Sequence, residues 1–314
     1  MAGRSRPRRY AAVTTWCAAR GVSGAAPDGA ELVRTDRDDP AGLAPLVSEK
    51  FDAVVDTATM SYPWVRDALR ALGPTAGHWT FVSTVNVYSD VETMGQTTAA
   101  PVREHLLAGG GDRTPERYWA IKVAGENAVR GLMGDRAFVV RPGLITGPRD
   151  EHDRFGYWVA RISHGGRVAV PDADEQPIQY IDVRDLAEWI IDAGERRLGG
   201  TFNGIGPAQP LGELFNGIAR AVGPADTELV KVPADVLVAN GVIPWAGPKS
   251  LPLWAPPGYH GFCSHDVSAS FAAGLRQRPL ADAVTGALAW ERELGLGRPR
   301  KAGLTRAEEA ALLG

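Results

Sequence analysis

The sequence predicts an α/β protein built on a doubly wound parallel sheet. Short β-branched runs close on polar or glycine-rich turns, helix-like segments separate them, and 314 residues with 44% apolar content suffice to cover both faces of such a sheet. "FDAVVDTAT" (51–59), "HWTFVSTVNVYS" (78–89) and "AFVVRPGLITGP" (137–148) read as buried parallel strands. Between them, residues 62–72 and 115–132 read as helices. Thr114 provides an N-cap for the second, and Pro115 takes its first helical position.

After Pro148 the alternation loosens, then resumes with "IQYIDVRDLAEWIIDAGE" and "GGTFNGIGP". The chain is therefore expected to leave the sheet and return to it. Residues 1–150 and 176–207 are assigned to the sheet domain, and 151–175 and 208–314 to a smaller cap. Within the cap, "LGELFNGIARAVG" is an amphipathic helix, "IPWAGPKSLPLWAPPGYHGF" a loop able to close over a pocket, and "LTRAEEAALL" a final short helix. Asp182 and Asp185 suit a helix cap and first-turn acid better than a catalytic pair.

Composition narrows the function. A net charge of −3 gives no general pull toward nucleic acid or membrane, although four arginines fall in the first nine residues. No apolar run approaches the ~20 residues needed to cross a bilayer. Cys17 and Cys263 stand far apart and six histidines are scattered, so no disulfide framework and no metal site is expected, and a reducing cytoplasm is the expected location.

The chemistry concentrates in "RYWAIKVAGEN" (117–127), where Tyr118 precedes Lys122 by one helical turn on a shared face. An ammonium about 5 Å from a phenol at effective dielectric ~20 favours the phenolate by roughly 3 kcal/mol, about two pKa units. Such a pair is suited to moving a proton on an alcohol or carbonyl. Ser83 and Thr84 end the strand of residues 78–89, where ligands bind in open α/β sheets.

In combination "TDRDD" (35–39), "FDAVVDTAT", "FVSTVNVYS", Tyr118-x-x-x-Lys122 with Glu126, "RPGLITGPRDEHDRFGYW" and "IQYIDVRDLAEW" resemble the extended short-chain dehydrogenase/reductase family, in its NAD-dependent epimerase/dehydratase-like branch. The resemblance spans about residues 31–290 and implies a Rossmann-like sheet with a C-terminal substrate cap. It implies NAD or NADP as cofactor and oxidation, reduction, epimerisation or dehydration of a small-molecule alcohol or carbonyl. Thr84 would orient the substrate oxygen, Tyr118 would be the acid/base, and Lys122 would tune Tyr118 and bond the nicotinamide ribose. Asp36 would lie near the adenine, Thr57 and Ala58 along the phosphates and ribose, with Ser83 at the same strand-end site, and Pro142 and Gly143 against the nicotinamide. Family members often pair through the helix that carries the tyrosine, so a homodimer is expected.

The resemblance also calls for a first strand and a Gly-x-x-Gly-x-x-Gly turn, whose bare backbone admits a pyrophosphate. The head of this sequence has neither, so about 25 residues of a βαβ unit are expected to be absent. Val13 to Trp16 resembles the second strand. A late or misframed start, an inactive relative and a scaffold turned to cofactor-free chemistry are the open accounts, and a non-catalytic small-molecule binding or regulatory protein is the alternative function. Phe155, Tyr157, Trp158 and Arg161 are candidates for one substrate wall, or else core of the cap. Trp245, Trp254, Tyr259 and His260 are candidates for a second wall, and together these aromatics favour an uncharged or aromatic substrate.

Overall fold

The computed structural model describes residues 14–22 and 24–314; Gly3, Val13 and the arginine-rich head lie outside the described residues. Its centre is a parallel sheet of β3 (Val54–Asp56), β4 (Trp79–Val82), β5 (Ala137–Arg141) and β10 (Gly200–Asn203), in the order β10-β5-β4-β3. Alternation along these strands feeds two separate cores, because successive side chains leave opposite faces. Trp79, Phe81, Ala137 and Val139 join Val65, Ala68, Leu69 and Leu72 of α1 (Tyr62–Leu72), and Val129 and Met133 of α2 (Pro115–Met133). Phe138 and Val140 face Leu186, Trp189, Ile190 and Ala193 of α4 (Val183–Glu195) instead. Helices thus cover both faces, as the doubly wound reading requires.

Local signals fix the helix starts. Thr114 Oγ1 accepts from Arg117 N at 3.3 Å with Pro115 behind it, and Asp182 caps α4 through Arg184 N at 2.9 Å. Gly125 lets α2 approach β4: a Cβ there would meet Phe81 Cζ at 2.5 Å, a contact real structures do not tolerate. Gly125→Ala is expected to destabilise the protein by about 1–3 kcal/mol through overpacking, measured as a lower urea midpoint at unchanged slope.

Before this sheet stand β1 (Thr15–Ala19) and β2 (Ala30–Arg34), paired in parallel with each other. Among the described residues they form no ladder with β3, whose Val55 is 49% exposed. Side chains make the connection: Trp16 meets Phe51 edge to face at 5.7 Å, and Arg37 pairs with Asp56 at 2.8 Å.

The third core belongs to the cap. It gathers α3 (Arg154–Ile162), β7 (Arg167–Pro171), α5 (Leu211–Val222), α8 (Leu280–Leu294) and the short strands β13 (Ile243–Trp245) and β14 (Ser250–Pro252). β7 pairs in parallel with β12 (Glu228–Val232), β8 (Pro177–Ile178) pairs antiparallel with β11 (Gln209–Pro210), and the two-residue strands β6 (Ile145–Thr146) and β9 (Ile181–Asp182) pair between β5 and α4; α6 (Ala234–Ala239) and α7 (Ser268–Ala272) are short helices. Leu144, Ile178 and Tyr180, near the points where the chain leaves and re-enters the sheet, also pack into this core. The closing helix α9 (Arg306–Leu313) carries a Thr305/Glu308 capping box. Among the described residues no helix is long and apolar enough to cross a membrane.

Candidate active site

The carboxyl ends of β3, β4 and β5 open on a cavity of about 930 Å³, walled on the far side by the cap. Thr57, Ser83, Thr84, Tyr118, Lys122, Pro142, Gly143 and Trp245 line it, so most of the residues read from sequence meet at one place. Met60, Asn86, Trp119, Arg154 and Phe262 line it as well, and sequence reasoning passed over them.

Lys122 is 2% exposed, and its Nζ donates to the carbonyl oxygens of Ala58 (2.5 Å) and Val82 (2.6 Å). Ala58 therefore sits under the cavity and presents its backbone to the ammonium. Burial pulls the Lys122 pKa down to about 8, against the opposing charges of Asp56 and Glu126. The ammonium lies over the rings of Phe81 (4.9 Å) and Tyr118 (5.8 Å).

Tyr118 behaves differently from the expectation based on spacing. Burial raises its phenol above the ordinary value, and the Thr84 hydroxyl and the Arg154 charge pull it part of the way back. The two backbone carbonyls hold the Lys122 ammonium at the strand ends, 5.8 Å from the Tyr118 ring centre. Sharing a helical face brought the two side chains together without aiming one at the other.

Ser83 donates to Glu126 Oε1 at 2.6 Å. Glu126 is fully buried and also accepts from Arg141 Nε (2.9 Å), Arg141 Nη2 (2.7 Å) and Arg130 Nη1 (3.0 Å). Burial alone would raise this carboxyl; Arg141, the Ser83 hydroxyl and Arg130 outweigh it and hold the pKa below the usual range. Arg141 in turn lies 4.8 Å from the Tyr88 ring centre, and Tyr88 Oη donates to Asn203 Oδ1 at 2.6 Å. Of this network Ser83 lines the cavity. Gly143 lines it too, and a Cβ there would meet Ile205 Cδ1 at 2.1 Å.

Several expected site residues lie elsewhere. Phe155, Tyr157 and Trp158 are within the cap core, because the body of α3 packs against α5, α8 and β14, and only its first residue, Arg154, lines the cavity. Trp158 Nε1 donates to the Pro252 carbonyl at 2.7 Å, and Arg161 pairs with Glu309 at 2.5 Å. Trp254 is likewise buried in that core, whereas Tyr259 and His260 are exposed on the loop beyond it. Of the second expected wall only Trp245 reaches the cavity, joined by Phe262 at 5.1 Å. Asp36 is exposed in the turn after β2, accepts from Asp38 N at 3.0 Å and does not line the cavity.

Known structures share this architecture. RMD from Pseudomonas aeruginosa, solved with NADPH, superposes with a TM-score of 0.58 at 20% identity over 89% of this chain and 98% of its own. The Bordetella bronchiseptica enzyme WbmG, solved with NAD and UDP, gives 0.59 at 17% identity over 93% and 90%. UDP-glucuronic acid 4-epimerase from Bacillus cereus, solved with NAD, gives 0.57 at 14% identity over 85% and 82%. These likenesses concern the fold. No curated protein matches the sequence. The sequence profile of the NAD dependent epimerase/dehydratase family matches residues 7–203, well over half of the chain, and on that match the chain belongs to the NAD dependent epimerase/dehydratase family.

Proposed function

We propose that the cavity is the site of an NAD(P)-dependent epimerase/dehydratase-type reaction at an alcohol or carbonyl carbon, with Thr84, Tyr118 and Lys122 at its centre. The convergence of these three side chains with Pro142 and Gly143, at the carboxyl edge of a parallel sheet, carries the reading. The residues fit the nicotinamide and its ribose: Pro142 and Gly143 offer a close backbone floor, Lys122 an ammonium beside Ala58, and Thr57 a hydroxyl along the approach. They fit the adenine end less well, as Asp36 stands outside the cavity.

Bound NAD(P) would supply or accept the hydride. The chain itself manages the proton. Thr84 orients the substrate oxygen toward Tyr118, whose raised pKa keeps the phenol protonated at neutral pH and ready to donate. Lys122, with two donors engaged by Ala58 and Val82, has its remaining N–H for a ribose hydroxyl and places positive charge near the oxygen that gives up its proton.

Titration with NADH and NADPH tests the reading. A saturable fluorescence change is expected, weakened in Lys122→Met, which keeps the stem but loses the ammonium. Absence of saturation up to about 1 mM, the top of the usual KM range, would reject it.

A further inference from the structure

Several cations of the cavity have no task in the reading above, and one of them is partly buried. Arg154, the first residue of α3, lines the cavity between the sheet edge and Trp245, with its guanidinium carbon 5.9 Å from the Trp245 ring centre. Its Nε is closed off from solvent and has no hydrogen-bond partner, and among the described residues the guanidinium forms no ion pair. Other buried or half-buried arginines of the molecule are matched: Arg141 with Glu126, Arg161 with Glu309, Arg298 and Arg300 with Asp153 and Glu291. A guanidinium with one nitrogen walled off from water and no salt bridge is unfavourable for the protein unless something arrives to neutralise it.

The surroundings favour an anion. Arg113, Lys122, Arg149, Arg154 and Lys301 line the cavity against two carboxylates, Asp150 and Glu151, with His152 beside them. Asp150 is the acid whose field reaches Arg154, but the two form no salt bridge: its Oδ1 accepts from His152 N, its Oδ2 is buried without a hydrogen-bond partner, and burial pushes its carboxyl up toward the neutral form. A single planar guanidinium fork matches the two oxygens of a carboxylate. Trp119, Trp245 and Phe262 line the same cavity and offer apolar surface for the rest of the molecule.

We propose that Arg154 receives a carboxylate of the substrate, so that the alcohol or carbonyl handled by Tyr118 belongs to an organic acid with an apolar body. This rests on the reading of the cavity as the site of Tyr118 acid–base chemistry, and it replaces the uncharged substrate expected from the aromatic content alone.

The test is calorimetric titration of the full chain with benzoate and cinnamate, and with benzamide and cinnamamide as neutral partners of the same shape. The acids are expected to bind about tenfold or more tightly than the amides, the worth of a charge-assisted hydrogen-bond pair. That preference should vanish in Arg154→Gln and persist in part in Arg154→Lys, with NADH affinity unchanged in both. Equal binding of acid and amide, no binding of either acid at millimolar concentration, or a preference that survives Arg154→Gln would overturn the proposal. Displacement of bound benzoate by ADP would also overturn it, since the guanidinium would then serve cofactor phosphate. Loss of NADH binding with the acid preference intact would strike the dehydrogenase-type reading alone.

Discussion

Glu126→Gln is expected to destabilise the protein by about 3–5 kcal/mol, the loss seen when one partner of a buried ion pair is removed and the other stays. The amide keeps the shape of the carboxyl but not its charge. Arg141, 3% exposed, would then lack a counter-ion, and the amide cannot accept from Ser83, Arg141 and Arg130 as four lone-pair sites do. Because Glu126 ties α2 to the ends of β4 and β5, the damage should appear as global unfolding in urea. Replacing the pair together, Glu126→Leu with Arg141→Met, should recover much of the loss, which a purely volumetric effect would not. The pH dependence has a definite sign. A carboxyl whose folded pKa lies below its unfolded value contributes stability above the unfolded value and loses it as pH falls through the folded one. The gap between wild type and Glu126→Gln should therefore narrow as the solution is acidified below the ordinary glutamate range.

Tyr118→Phe is the second large effect, directed at chemistry and not at folding. The hydroxyl meets the Thr84 side chain and feels the Arg154 charge, and removing it should lower kcat by about 10²–10⁴ on any carbonyl compound the wild type reduces. NADH affinity should stay close to wild type, and the urea midpoint should fall by no more than the loss of the Thr84 hydrogen bond implies, about 1 kcal/mol. Loss of NADH absorbance in steady state gives the rate and fluorescence titration gives the affinity. Full turnover in the phenylalanine variant would remove Tyr118 from the reaction.

The parts of the fold that were legible in sequence are those set by local signals. Helix α1 runs from Tyr62 to Leu72 as its apolar spacing indicated, and α2 starts where Thr114 and Pro115 said it would. The meeting of Thr84, Tyr118 and Lys122 was legible for a similar reason, since a strand end and the helix behind it are brought together by topology. What sequence lacked was direction and depth. Aromatic density in "DRFGYWVARI" gave no sign whether those rings meet a ligand or one another, and only the packing of α5, α8 and β14 around α3 decides it. Arg154, next to Asp153 at the start of that helix, was passed over in sequence, and nothing local showed that it would line the cavity without a salt bridge. Lys122 likewise gave its helical face from spacing, while its capture by the Ala58 and Val82 carbonyls depends on the close approach of α2 that Gly125 permits.

The separation of β1 and β2 from the main sheet bears on how the molecule comes apart. A ladder of backbone bonds must break all at once along its length, but Trp16 on Phe51 and Arg37 on Asp56 are individual fastenings that release one at a time. Trp16 and Val33 also rest on the core beneath β3, so these two strands are held to the sheet by side chains. Among the described residues the outer edge of β3 carries no ladder, which makes this seam the place where another extended chain is most apt to pair.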